Sequence, residues 1–258
     1  MNGKRFSNLL AQIAITLMGL GTGSANAVDP AEKTVIVLVD LSESTRPYRK
    51  QYSRYMNKMV LPAIKAGDHI VLAQIGVTPT LAPILGYAQQ LDQNPPASTA
   101  SNAKLAEFEN NKKKKVAETK NADTIQSVGR EFEKMLAGSS GQTPILDTLN
   151  ALQRIYEAKP SNRKLLVIFS DMLESTPKGL DFDGLKIVQA KQAEKWIASA
   201  VKANKIPKLD SVRVHVAGAS AKEQAKYNEV KLFWQTIFKQ SGAILVDYGT
   251  EMYGFEGK

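Results

Sequence analysis

The sequence predicts an α/β fold: a doubly wound, mostly parallel central sheet with one antiparallel edge strand and a long charged helical insertion. Three observations carry this. Short continuous apolar runs alternate with longer segments at helical spacing, as in parallel strands covered on both faces. Two of the apolar runs are separated by only a few residues, Gly76 to Thr80, which is too short for a parallel crossover and demands a hairpin. No internal repeat or clean break divides the 258 residues, a length that one sizeable domain accommodates.

Each element has its own justification. Thr34-Val-Ile-Val-Leu-Val-Asp40 is an apolar run ending in a carboxylate, a buried strand. Pro47 to Ala66 reads as a helix closed by Gly67. His69 to Ile75 is a second buried strand. Leu81 to Tyr87 is a third, placed at an edge because Pro83 cannot donate to a ladder. A polar loop from Asp92 to Ala100 leads into strong helix formers from Ser101 to Ala137. Apolar spacing there is clear only at Ile125, Val128, Phe132 and Met135, so the Lys112 to Lys115 region should project into solvent or bend back. Thr143-Pro144 opens a helix with Ile145, Leu149, Leu152 and Tyr156 on one face. Leu165 to Phe169 is another central strand, ending at Ser170-Asp171. A loop with Pro177, Gly179 and Gly184 precedes a helix carrying Ala193, Trp196, Ile197, Ala200 and Val201. A strand at Val212 to Val216, a helix with Val230, Phe233, Trp234, Ile237 and Phe238, and a strand at Ile244 to Val246 complete the chain.

Residues 1–27 read as a secretory signal. Lys4 and Arg5 precede an apolar stretch from Leu9 to Leu20, and Ala25-Asn26-Ala27 supplies small residues for cleavage. The stretch falls short of the ~20 apolar residues that span a bilayer. The expectation is therefore an exported protein, periplasmic or secreted, whose mature form of residues 28–258 does not span a membrane and carries the helical insertion at about 92–137. There are no cysteines, which excludes disulfides, thiolate metal sites and a cysteine nucleophile. Net charge is +9, or +7 without Lys4 and Arg5, which favours acidic partners and anionic envelope surfaces. Export and the lack of a binding motif argue against nucleic acid.

The chemistry concentrates where strands end. Asp40-Leu41-Ser42-Glu43-Ser44 follows the first strand directly, and Asp171 ends a strand that can lie beside it. Ligands of open parallel sheets gather at the carboxyl ends of strands where strand order reverses. Two carboxylates side by side there would repel and raise one pKa, and a hard divalent ion relieves this with carboxylate and hydroxyl ligands. Taken singly, the residues have plainer roles. Ser44 or Thr45 could cap the following helix, Thr143 could cap the helix at Pro144, and both aspartates could be turn residues. Together, Asp40, Ser42, Ser44, Thr143 and Asp171 put five oxygen side chains on three loops at one sheet edge.

Val35-Ile-Val-Leu-Val-Asp40-Leu-Ser42-Glu-Ser44, Gly141-Gln-Thr143 and Leu165-Leu-Val-Ile-Phe-Ser-Asp171 resemble the three pieces of the metal-ion-dependent adhesion site of von Willebrand factor type A domains. The order of elements extends the resemblance over nearly the whole mature chain, and implies that family's Rossmann-like fold. It implies that Ser42 and Ser44 bind the ion directly, Thr143 directly or through water, and Asp40 and Asp171 mostly through water. The ion implied is magnesium, with manganese or calcium as alternatives, and one coordination position is left for a carboxylate of a partner protein. A protein-recognition module, not an enzyme, follows. The charged segment from Tyr87 to Met135 departs from simple members of the family.

Other features have ordinary readings. His69 and His215 lie far apart in predicted strands, and a zinc site would need carboxylates to complete it. Asp181-Phe-Asp183-Gly184 lacks the spacing and terminal Glu of a calcium loop, although it, Glu174 and Ser175 could add negative charge at the site's rim. Trp196, Phe233, Trp234 and Phe238 fall at core spacing, and Lys112 to Lys115 form a solvated face. A metal-dependent phosphoryl or ester hydrolase is the competing function. Phosphoryl chemistry on an aspartate at this place usually has a second acid two positions on, where this chain has Ser42, and there is no Gly-x-Ser-x-Gly elbow. A third possibility is a structural component of an envelope assembly, stiffened by the metal.

Overall fold

The computed structural model describes residues 33–76, 84–92, 102–158, 161, 163–176, 180–182 and 190–255. Residues 1–27, expected from the sequence to be a secretory signal, Pro83, the loop at 93–100 and the Pro177, Gly179, Asp183 and Gly184 positions lie outside the described residues.

A six-stranded sheet runs through the molecule. Its strands are β1 (Lys33–Asp40), β2 (His69–Ile75), β3 (Ile84–Gln90), β4 (Arg163–Phe169), β5 (Arg213–Ala217) and β6 (Ile244–Gly249), in the order β3-β2-β1-β4-β5-β6. β2, β1, β4, β5 and β6 are mutually parallel, and β3 pairs antiparallel with β2. β1 is therefore central, with β2 on one side and β4 on the other, and the chain's winding reverses there.

Helices α1 (Arg49–Tyr55), α2 (Ala103–Leu136), α3 (Ile145–Ala158), α4 (Ala190–Lys202) and α5 (Gln224–Gln240) cover the sheet on both faces. Every β1 residue is buried, so its side chains alternate between two separate cores, which is why the strand reads as an unbroken apolar run. Ile36 and Leu38 pack with α3, α4 and α5. Val35, Val37 and Val39 pack with α1 and the C-terminal turns of α2.

Three boundaries differ from the sequence reading. The helical segment after β1 begins at Glu43 as a 3-10 turn, which tolerates Pro47, and it ends at Ala63. Between Met56 and Val60 it widens to a π turn just before Pro62, which has no N–H to continue the ladder. β3 runs on to Gln90, past the Tyr87 of the sequence reading, and its start at Leu81 lies outside the described residues. The insertion is a single 34-residue helix, about 50 Å long at 1.5 Å per residue. Asn102 caps it, accepting from the N–H groups of Lys104 and Leu105. Only Val128, Phe132 and Leu136 of α2 are buried. Paired amide bonds between Asp92 and Asn121 tie its middle to the end of β3. The Lys112 to Lys115 turn is exposed, as a solvated face should be.

At the amino end of β1, the Lys33 ammonium lies 3.1 Å from the Asp68 carboxylate, both almost fully buried. Asp68 also accepts from the N–H groups of Lys33 and Lys65, fixing the turn into β2. Among the described residues no helix is long and apolar enough to cross a membrane.

Candidate metal centre

Parallel pairing sets Val39 opposite Phe169, so Asp40 and Ser170 emerge level with each other at the carboxyl edge of the sheet. They are in contact: the Ser170 hydroxyl donates to Asp40 Oδ2 at 2.7 Å. The other carboxylate oxygen, Oδ1, accepts from the Ser42 N–H at 2.8 Å. Asp40 is completely buried. The Thr45 hydroxyl turns back to the Asp40 and Ser42 carbonyls, 2.9 Å from each. Thr45 thus closes the loop from inside instead of capping a helix. That geometry leaves Ser42 and Ser44 facing outward with their hydroxyls 3.0 Å apart.

The second loop is fastened to the first. Arg49 donates to the carbonyls of Leu136, Gly138 and Leu41 at 2.7–2.8 Å, and the Ser140 N–H donates to Leu41 O at 2.9 Å. A half-buried guanidinium with fixed fork geometry is suited to holding three backbone acceptors at once. A Cβ on Gly141 would meet nothing, so that glycine is not there to relieve a clash.

The third loop is fastened to the second. Thr143 and Ser175 exchange two backbone hydrogen bonds of 3.0 and 3.1 Å, and Thr143 and Asp171 are each 3% exposed. Asp171 Oδ1 accepts from the Leu173 N–H at 3.0 Å. Met172 adopts φ +65°, uncommon for a non-glycine residue and a conformation that persists only where surroundings enforce it. Here they do: the Met172 N–H donates to Ser170 Oγ, and its carbonyl accepts from the indole of Trp234 at 2.9 Å. Trp234 is thus both core and a prop under the Asp171 turn.

All five residues singled out from the sequence therefore lie on three loops cross-linked to one another at the β1/β4 edge. The donors are oxygens throughout, two carboxylates and three hydroxyls, and among the described residues no group of three His, Cys, Asp or Glu side chains gathers as a metal site. Such a set suits a hard divalent ion and not a soft one. Burial is the main cause raising the Asp40 pKa, countered by the Ser42 N–H, by the Ser170 and Ser42 side chains and by the Arg49 charge. Two carboxylates this buried gain from a cation, and Arg49 directs its Nη groups at carbonyls.

Several residues of the site went unrecognised in the sequence. Ser170 needs the strand register to be seen. Glu174, which from the sequence could add negative charge at the rim, is only 3% exposed. It lies beneath α3, where Oε2 accepts from the Leu146 N–H at 3.0 Å, so its carboxyl serves the helix terminus that Thr143 was a candidate to cap. Burial pushes its pKa to about 8, with the charges of Asp147 and Asp40 adding to the rise. Tyr52, on α1, is fully buried against Phe169, ring centroids 5.2 Å apart, and its hydroxyl has no hydrogen-bond partner among the described residues. Such a group costs about 1–3 kcal/mol.

The remaining candidates fall elsewhere. His69 and His215 sit on β2 and β5, with β1 and β4 between them, and His215 packs edge-on to Phe255. Phe182 anchors its loop in the core against Phe233. Asp181 is exposed, paired through a bridge with Ser175.

No protein-family description matches the chain, and no curated protein matches it. Solved structures share a general outline. One is an aerotolerance-related membrane protein from Bacteroides fragilis, at 12% identity over 84% of this chain and 92% of that one, with a TM-score of 0.41. Another is proximal thread matrix protein 1 from the mussel byssus, at 12% identity over 84% of this chain and 47% of that one, TM-score 0.37. The mussel protein with a zinc-occupied MIDAS motif matches at 12% identity over 82% and 48%, TM-score 0.34. This chain spans about half the length of the mussel protein. At these scores none of the likenesses bears on what the site does.

Proposed function

We propose that the chain is an exported, metal-dependent protein-recognition module that captures an acidic side chain of a partner through a divalent cation, and that it is not an enzyme. The observation that carries the reading is the cross-linking of three loops around Asp40, Ser42, Ser44, Thr143 and Asp171 through Ser170, Arg49 and the Thr143–Ser175 bridge. Magnesium fits the oxygen donor set, with manganese or calcium as alternatives. The ion supplies a Lewis-acidic position for a carboxylate.

The chain's own residues divide the remaining work. Ser42 and Ser44 present uncharged hydroxyls, which leave the ion's charge uncancelled and its attraction for an incoming Asp or Glu strong. Asp40 holds the loop while contributing negative charge from below. Both its oxygens already accept hydrogen bonds, so it is engaged in positioning and poorly placed to act as a nucleophile, which favours a binder over a hydrolase. The excess of Lys and Arg over the chain suits approach to acidic partners.

The test is retention of envelope proteins on the immobilised chain in magnesium, with elution by EDTA, beside a column carrying Asp40→Ala. The proposal expects partners released by chelator and absent from the Asp40→Ala column. Equal retention by both columns, or retention indifferent to EDTA, rejects it.

A further inference from the structure

The amino-terminal half of α2 carries exposed apolar side chains at helical spacing. Leu105, Phe108 and Val116 are 50%, 66% and 63% exposed. At about 100° per residue they fall within about 80° of arc, along about 17 Å of helix. Val128, Phe132 and Leu136, which bury toward the sheet, lie roughly on the opposite side of the same helix. The stripe therefore faces away from the core. Charge is sorted around it. Lys112 sits within the stripe, and Lys113 and Lys115 flank it, one on each side. Among the described residues these three lysines have no carboxylate partner. Lys114, on the far side, lies 3.9 Å from Glu118, and Lys120 pairs with Asp92. Glu107 and Glu118 also lie on the far side, and Glu109 is already engaged. The uncompensated positive charge thus borders the apolar stripe.

We propose that this face of α2 binds the surface of an anionic lipid bilayer, the helix lying in the interface with Leu105, Phe108 and Val116 among the acyl chains. The lysines bordering the stripe reach up to the headgroup phosphates while their methylene stems cover its edges. Neither half of the pattern suffices alone. A solvated face needs lysines and no apolar stripe, and an acidic protein surface would answer the lysines while leaving the stripe uncovered. A second copy would have to bury about 800 Å² per partner in a stable dimer, far more than three partly exposed side chains supply. No helix among the described residues is apolar enough to cross a membrane, so the contact is one of lying on the bilayer. This face shares no residue with the three loops of the metal centre, so bilayer binding and ion binding are separate properties.

Residues 28–258, which hold every element of the fold, are sedimented in EDTA with two kinds of vesicle. One is phosphatidylcholine alone; the other is phosphatidylcholine and phosphatidylglycerol in equal parts. Phe108→Gln removes the centre of the stripe, and a triple variant, Lys112→Gln, Lys113→Gln and Lys115→Gln, removes the bordering charge. A control triple, Lys195→Gln, Lys202→Gln and Lys239→Gln, removes as much charge from exposed positions of α4 and α5, on the other face of the sheet. Wild type should bind only the vesicles with phosphatidylglycerol. Binding should be at least about tenfold weaker in Phe108→Gln and in the first triple, and within about threefold of wild type in the control, whose charges lie beyond the screening length. All four proteins should share one thermal midpoint, since the changes are on the surface. Absence of wild-type binding, binding indifferent to phosphatidylglycerol, equal losses in the two triples, or full binding by Phe108→Gln each overturns the proposal. Wild type that self-associates without vesicles, and Phe108→Gln that does not, assigns the stripe to a second copy and overturns it as well.

Discussion

Replacing Glu174 by glutamine should abolish most of the pH dependence of stability of the metal-free protein between pH 4.5 and 8. The carboxyl is buried beneath the first turn of α3, and its pKa is raised from an ordinary 4.5 to about 8. A helix amino terminus favours a carboxylate, but here the loss of hydration outweighs it, and Asp147 and Asp40 add repulsion. The sign follows from proton counting. Above pH 4.5 the unfolded chain releases this proton while the folded chain keeps it, so stability falls as pH rises and levels off above about 8. A shift of this size corresponds to about 5 kcal/mol over the whole window. Glutamine keeps the acceptor for the Leu146 N–H and never ionises. The variant should match wild type near pH 4.5 and exceed it by about 4–5 kcal/mol at pH 8 and above. Urea titrations in EDTA across this range measure the difference; a slope that survives in Glu174→Gln assigns the titration to another group.

Asp68→Ala should destabilise the protein by about 3–5 kcal/mol, because it strips a counter-charge from the buried Lys33 ammonium. It also removes the acceptor for the Lys33 and Lys65 N–H groups. The effect should be confined to stability. Lys33 and Asp40 are the first and last residues of β1, separated by about 23 Å of extended chain, so the metal-site loops lie at the opposite end of the strand. Denaturant unfolding should show the loss, and a metal titration of the folded variant should give wild-type affinity. An affinity change of tenfold or more in Asp68→Ala would mean that the two ends of the sheet are coupled.

The parts of the fold legible in the sequence were those where burial dictates residue type over several positions. β1 announces itself because both faces of the strand are covered, and the aspartate at its end marks the edge where ligands gather. The helix ends were less legible, since Pro47 and Pro62 both sit in 3-10 turns, the second after a π turn, that hydrophobic spacing does not encode. For α2 the spacing located Val128 and Phe132, two of the three residues that bury, and missed Leu136; a charged surface leaves no periodic trace of how far a helix continues. The five candidate donors could be picked out because Asp40, Ser42, Ser44 and Asp171 fall at or just past strand ends and Thr143 opens the helix between those strands. Ser170, Glu174, Arg49 and Tyr52 could not. Each acts through a partner 28 or more residues distant, or through packing that only the register of β1 on β4 creates. Glu174 in particular looks like any loop acid until its burial under α3 is seen.

Binding of a single divalent ion at the β1/β4 edge is tested most directly by calorimetric titration of residues 28–258 with Mg2+ and Mn2+. The prediction is one ion per chain, lost in Asp40→Ala, with a gain in unfolding free energy of about 2.7 kcal/mol when the ion is supplied at a hundred times its dissociation constant. No saturable binding by the wild-type chain, or an unchanged isotherm in Asp40→Ala, would contradict it.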